Sequence, residues 1–144
     1  MTINEIQDEI IDEFAFFDDW MDKYEYLISL GKDLPLIDDL YKDEQHLIKG
    51  CQSRVWLHAG SENDHVLFTA DSDAIITKGI IALLIRVLSG QPSADVAKAD
   101  LYFVDQIGLH EHLSPTRSNG LRSMVKQMKL YGLAMTAQNE QHNG

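Results

Sequence analysis

The chain has 144 residues, 44% hydrophobic and 24% charged, with one cysteine, a make-up that suits one globular domain able to bury a core without disulfide staples. Its net charge is −11, and residues 1–45 hold 14 acids against three lysines, whereas nine acids balance nine basic residues in the remainder. One cysteine excludes an internal disulfide framework, and the acidic balance argues against nucleic acid and anionic membrane as partners. The N-terminal stretch lacks the basic start and apolar core of a signal peptide. The longest apolar run, residues 79–85, is far short of the roughly 20 residues a bilayer span needs, so a cytoplasmic location is expected. The acidic first third reads either as plain solubility or as steering toward a basic protein partner.

In chain order, Thr2 with Glu5 forms a capping box, and Ile3, Ile6, Ile10, Phe14 and Phe17 recur at helical spacing, predicting a first amphipathic helix. Asp18 or Asp19 caps a second helix with Trp20, Tyr24, Leu27, Ile28 and Leu30 on its apolar stripe and Gly31 as its closing C′ residue. Residues 32–45 read as a polar connection with one helical turn around residues 37–41. Residues 55–59 and 66–70 alternate as strands, with residues 60–64 as a polar hairpin turn; residues 101–104 are expected to add an edge strand, although residues 102–107 read equally as strand or helix. Asp71, Ser72 and Asp73 are candidate caps for a helix over residues 74–88, apolar around most of its circumference from Ile75 onward, in which Lys78 and Arg86 must snorkel or find acids. Ser93 can cap a short helix through Ala97. Residues 108–115 read as loop, and a last helix is expected over residues 119–137, packing through residues that include Leu121, Met124, Met128 and Leu133, with a frayed tail after Gln138. A small antiparallel sheet packed against several helices is an α+β fold in one domain, residues 1–144.

The chemistry centres on Gly50-Cys51-Gln52-Ser53-Arg54-Val55-Trp56, where the single thiol sits after a glycine and just before a strand. Its reactive form is the thiolate, which needs a cation or a helix N-terminus close by; Lys49 and Arg54 are near in sequence. A cysteine hydrolase would need a histidine partner, and His46, His58, His65, His110 and His112 are available without a spacing that selects one. His110-Glu111-His112 is a thin chelating set, and one cysteine cannot build a cysteine-rich zinc or iron–sulfur site. Asp71 and Asp73 read as helix caps before they read as an acid–base pair. Arg117 is a candidate for binding an anion or for tying the last helix to the cysteine turn.

Three stretches together carry a resemblance: the turn at residues 50–56, Asp71-Ser72-Asp73-Ala74-Ile75-Ile76-Thr77-Lys78-Gly79-Ile80, and Leu113-Ser114-Pro115-Thr116-Arg117-Ser118-Asn119-Gly120-Leu121. In this order they resemble the SufE family of sulfur-acceptor proteins over nearly the whole chain, with Ile80 where the family commonly has Leu and Thr116 where Ser is common. The resemblance implies a SufE/IscU-like fold and a persulfide carrier, a co-substrate that stimulates a desulfurase. Cys51 would take sulfur from a SufS-like cysteine desulfurase and pass it to a SufB-containing iron–sulfur cluster scaffold. Pyridoxal phosphate would belong to the desulfurase, and this chain would hold no cofactor and no metal. Gly50, Gln52, Ser53, Arg54, Asp73 and Arg117 are the possible supporting residues, and a homodimer is possible. Cluster scaffolds of related fold carry three cysteines, which argues against cluster building here. Two alternatives stay open: an acidic protein-binding module in which Cys51 is incidental, and an acceptor for a paralogous desulfurase outside the Suf system. Carriage also predicts that Cys51 is tucked against apolar neighbours at rest and exposed when its partner docks.

Overall fold

Helix α1 (Ile3–Ala15) opens on its capping box: the Thr2 hydroxyl accepts from the Glu5 amide, and the Glu5 carboxylate accepts from the Thr2 amide. The computed structural model describes residues 1–143, with the side chains of residues 1–140. Ile3, Ile10 and Phe14 are buried at helical spacing, and the helix stops before Phe17, which packs beside Phe14 and Tyr26. Gln7 lies fully buried on the same face because both ends of its amide are used: it donates to the Asp100 carbonyl and accepts from the Phe103 amide.

Helix α2 (Trp20–Gly31) is capped by Asp19, whose carboxylate accepts from the Asp22 amide. Contrary to expectation, Gly31 does not terminate it in a left-handed conformation. It is the last helical residue, and Lys32 beyond it keeps a right-handed φ of −68°. The glycine serves packing instead. Helix α3 (Ile75–Leu88) crosses α2 so closely that a Cβ on Gly31 would lie 3.0 Å from the Gly79 nitrogen, and one on Gly79 would lie 2.3 Å from the Leu27 carbonyl oxygen. Ten of the fourteen α3 residues are buried, which makes it the central helix of the core. Ile75 departs from expectation: as the first residue of the helix it is 66% exposed. Arg86 reaches Glu9 and Glu13 of α1, and Lys78 reaches Asp71 at 3.3 Å.

Strands β1 (Val55–Glu62) and β2 (His65–Ser72) pair antiparallel from Val55↔Ser72 to Glu62↔His65. The strands run longer than their apolar alternation suggests, so the turn shrinks to Asn63 and Asp64, with φ of 52° and 66°. Two positive φ values in a two-residue connection match the right-handed strand twist, and Asn and Asp tolerate them. Val55 and Leu57 of β1, with Val66, Phe68 and Ala70 of β2, form the buried face. The other face is partly covered by the connection before β1, whose single 3-10 turns span Asp39–Tyr41 and Glu44–His46; Tyr41 stacks on His58 with centroids 4.0 Å apart.

The third strand is not residues 101–104. It is β3 (Gln91–Pro92), which pairs with His65 and Val66 of β2 to give the order β1-β2-β3. Gly90 lets the chain double back, with φ of 80° and its amide bonded to the Val66 carbonyl. Short helices follow: α4 (Ser93–Lys98), α5 (Phe103–Gln106) and α6 (Leu109–His112). Residues 103–104 are therefore helical, because Phe103 and Val104 are both buried, as residues on one helix face can be and neighbours on a two-faced strand usually are not. Ser93 does not cap α4; it is the first helical residue, and its hydroxyl hydrogen-bonds the Thr136 hydroxyl. His110 and His112 lie on α6 and not in a loop.

Helix α7 (Pro115–Asn143) begins at Pro115 and not at Asn119, since a proline is well placed at the first helical position, where its missing N–H costs nothing. It continues past Gln138, where fraying was expected, and Gly144 lies outside the described residues. Leu121, Met124 and Met128 are its buried anchors, whereas Leu133 is 58% exposed. The outcome is an α+β fold: a three-stranded antiparallel sheet with seven α-helices among the described residues.

Candidate functional site

Cys51 stands at the tip of a loop whose two sides are fastened to different parts of the core. At its base the Ile48 amide donates to the Val55 carbonyl at 2.9 Å, where the chain enters β1. On its outgoing side the Arg54 amide donates to the Asp73 carboxylate at 3.0 Å, and the Arg54 carbonyl accepts from the Ser72 hydroxyl at 2.8 Å. Residues 71–73 therefore do not cap α3. Ala74, not an acid, occupies the N-cap and makes no side-chain cap bond. Asp73 and Ser72 hold the cysteine loop, while Asp71 pairs with Lys42 at 2.7 Å and with Lys78, and those lysines keep its carboxyl below the ordinary range against the opposing effect of burial.

The tip itself is shaped by two glycines. Gly50 has φ of +93°, and a Cβ there would lie 2.4 Å from the Ser123 hydroxyl oxygen of α7. The turn can reach α7 in this way because residue 50 lacks a side chain. Gly120, one turn earlier on α7, offers bare backbone to the thiol: Cys51 Sγ lies 3.6 Å from its carbonyl oxygen, and a Cβ on Gly120 would sit 3.5 Å from Sγ. Cys51 is half-buried, packed on the edge of the hydrophobic core.

The thiol lines a cavity of about 290 Å³. Its apolar wall comes from Ile80 and Met124, and its polar wall from Gln52, Ser53, Thr77, Ser114, Thr116 and Arg117. Of the residues singled out from sequence, Gln52, Ser53 and Arg117 therefore meet at the cavity, Gly50 lies behind it, and Asp73 fastens the loop through the Arg54 backbone. The Arg54 side chain is exposed and does not line the cavity, and neither does Lys49. Burial pushes the Cys51 thiol above its ordinary range. Burial thus works against the thiolate, and neither Lys49 nor Arg54 stands in the cavity to favour it.

No histidine lines this cavity, so the site has no Cys–His pair. His46 bonds Asp43, His65 bonds the Asn63 carbonyl, and His112 stacks on Trp20 with centroids 3.9 Å apart. Sequence reasoning missed Thr77 and Gly120 as site residues, although both fall within the stretches that carry the resemblance. The signal for Thr77 was a hydroxyl on an almost wholly apolar helix. A larger cavity, about 660 Å³, lies elsewhere, between α7 and the α4–α6 segment, with Lys98, Arg122, Lys126 and Lys129 at its rim.

Fold and site define an α+β protein built around one half-buried thiol on a glycine-shaped turn. The chain belongs to the SufE family, whose sequence model, described as an Fe–S metabolism associated domain, matches residues 8–132. It is 43% identical over 127 residues to an uncharacterized SufE-like protein of Rhizobium meliloti (strain 1021), covering 85% of this chain and 91% of that one. It is 39% identical over 113 residues to the sulfur acceptor protein CsdE of Escherichia coli (strain K12), covering 77% of each. The fold is also that of a hypothetical protein from Thermus thermophilus solved in solution, with TM-score 0.76 at 19% identity, covering 92% of this chain and 96% of that one. No described helix is long and apolar enough to cross a membrane.

Proposed function

We propose that this protein accepts sulfur from a cysteine desulfurase on Cys51 and passes it to an iron–sulfur cluster scaffold. The observation that carries the reading is the thiol's setting: half-buried, on a turn fixed by Gly50, and open to a cavity large enough for a second sulfur atom. A carrier needs one thiol, because a second nearby would resolve the persulfide to a disulfide and release its sulfur. In the transfer, the Cys51 thiolate attacks the outer sulfur of a persulfide on the donor cysteine. The donor S–S bond breaks, a new S–S bond forms on Cys51, and the donor cysteine leaves as a thiolate. The sulfane sulfur moves at unchanged oxidation level, so no external oxidant or reductant is required.

Burial of Cys51 sets the order of events. A protonated, sheltered thiol reacts slowly with small oxidants, and partner docking supplies the exposure and the charge that make it a nucleophile. The donor is a SufS-like desulfurase carrying its own pyridoxal phosphate, and a SufB-containing scaffold is the receiver. A second reading keeps the same chemistry with a desulfurase of a paralogous branch as donor; the likeness to a sulfur acceptor protein fits either donor. Cys51→Ser tests the proposal. With the cognate desulfurase it abolishes stimulation of cysteine turnover while leaving binding intact. A Cys51→Ser protein that still stimulates would make the chain a docking module and overturn the reading.

A further inference from the structure

We infer that Thr77 is the hydrogen-bond donor that holds the outer sulfur of a Cys51 persulfide inside the cavity; the inference rests on the carrier reading above. Thr77 is 5% exposed and lines the same cavity as the thiol. A helical threonine usually satisfies its hydroxyl on the carbonyl four residues back, as Thr136 does on Gly132 at 2.8 Å. The Thr77 hydroxyl makes no hydrogen bond to any described residue. It lies in the first turn of α3, where the carbonyl four residues back belongs to Asp73, outside the helix and in the segment turned toward the cysteine loop.

The hydroxyl is not a sealed orphan: among the described residues His110 Nδ1 is the only fully buried side-chain polar atom without a partner, so the Thr77 oxygen keeps some accessible surface and can take a partner from the cavity it lines. A persulfide supplies that partner. The second sulfur extends about 2.05 Å from Sγ, and the cavity has room for it and for several waters besides. As an anion the outer sulfur is an acceptor only, so it matches a hydroxyl donor. Ile80, one turn on from Thr77 along α3, and Met124 supply the apolar part of the lining, and Arg117 is the charged side chain in it. Thr77 therefore acts as a positioning residue: it selects the loaded state over the empty one and slows loss of the sulfur to stray thiols.

The test loads the isolated protein with inorganic polysulfide, independently of any desulfurase. The Cys51 thiolate takes one sulfur and the polysulfide leaves one sulfur shorter, so atoms and charge balance. Intact mass then follows decay of the adduct in dithiothreitol. Thr77→Val, which keeps shape and removes the hydroxyl, loses its sulfur about tenfold faster than the wild type, the size of one charge-assisted hydrogen bond. Thr77→Ser, which keeps the hydroxyl, stays within about twofold of wild type. Titrating the persulfide by its ultraviolet absorbance separates this role from a merely structural one: Thr77→Val raises the midpoint, and Thr77→Ser does not. Should Thr77→Val fail to fold, the wild type still decides, because its Thr77 methyl and amide resonances must shift on loading. Equal decay in wild type and Thr77→Val, or unmoved Thr77 resonances, overturns the inference. Polysulfide loading with no sulfur uptake from a desulfurase would instead count against the carrier reading and leave Thr77 to be judged on its own.

Discussion

Gly50→Ala separates the two physical reasons for a glycine before the cysteine. Holding an L-residue at φ of +93° costs about 1–2 kcal/mol. The new methyl also falls 2.4 Å from the Ser123 hydroxyl oxygen, which must move, and such overpacking costs about 1–3 kcal/mol, at the low end here because a serine side chain can rotate. A stiffer unfolded chain returns about 0.4–1 kcal/mol. The expected net loss is about 2 kcal/mol, read by urea unfolding as a lower midpoint at unchanged slope. In a Ser123→Ala background the hydroxyl is gone and only the dihedral cost remains, so the same substitution loses about 1 kcal/mol. Because the displaced turn lifts Cys51 off Gly120, alkylation of the thiol quickens in the single mutant. A loss under about 0.5 kcal/mol, or an equal loss in both backgrounds, would refute this view of the turn.

Alkylation of Cys51 by iodoacetamide, followed against pH, gives a midpoint above that of the same thiol in the urea-unfolded chain, since burial raises it. The linkage has the matching sign: the unfolded chain gives up the thiol proton first, so stability falls as pH rises past the ordinary cysteine value toward the raised folded one. Gly79→Ala, whose methyl would lie 2.3 Å from a backbone carbonyl that cannot rotate away, destabilises by about 3 kcal/mol or more, measured by thermal unfolding. Arg86→Met removes the hydrogen bond that holds the Glu13 carboxyl below its ordinary range; the pair is about one-third exposed, so the loss near neutral pH is only about 1 kcal/mol. That difference is present above the ordinary glutamate value and fades as pH falls through the lowered one, which unfolding at neutral and acidic pH checks.

Much of this fold was legible in the chain because periodicity and burial agree. The capping box at Thr2, the Asp19 cap and the apolar sweep of α3 appear where the residues suggest. What failed were positions whose role is set by distant contacts. Gly31 looks like a helix stop, yet it is there so that α2 and α3 can touch. Asp73 looks like a cap, yet its partner is the Arg54 amide nineteen positions earlier. Residues 101–104 look like a strand because a short apolar run cannot report its period, and the two-residue β3 carries too little pattern to be seen. At the site, the thiol and its glycine stood out in the sequence. The polar wall did not, since Thr77 reaches the Cys51 cavity only through the packing of α3 against the cysteine loop.

The charge distribution has a counterpart in three dimensions. The acids concentrated in residues 1–45 lie on α1, α2, the link between them and the connection that follows, whereas Arg117, Arg122, Lys126 and Lys129 all lie on α7, the helix that carries the thiol's neighbour Gly120. Of these, only Arg117 lines the Cys51 cavity; Arg122, Lys126 and Lys129 line the separate, larger one.

Sulfur carriage on Cys51 is tested most directly by intact mass after incubation with a cysteine desulfurase, its pyridoxal phosphate and cysteine. The expected result is the added mass of one sulfur atom on the protein, mapped to Cys51, released by reductant and absent from Cys51→Ser. An unmodified Cys51 after the desulfurase has turned over would contradict it.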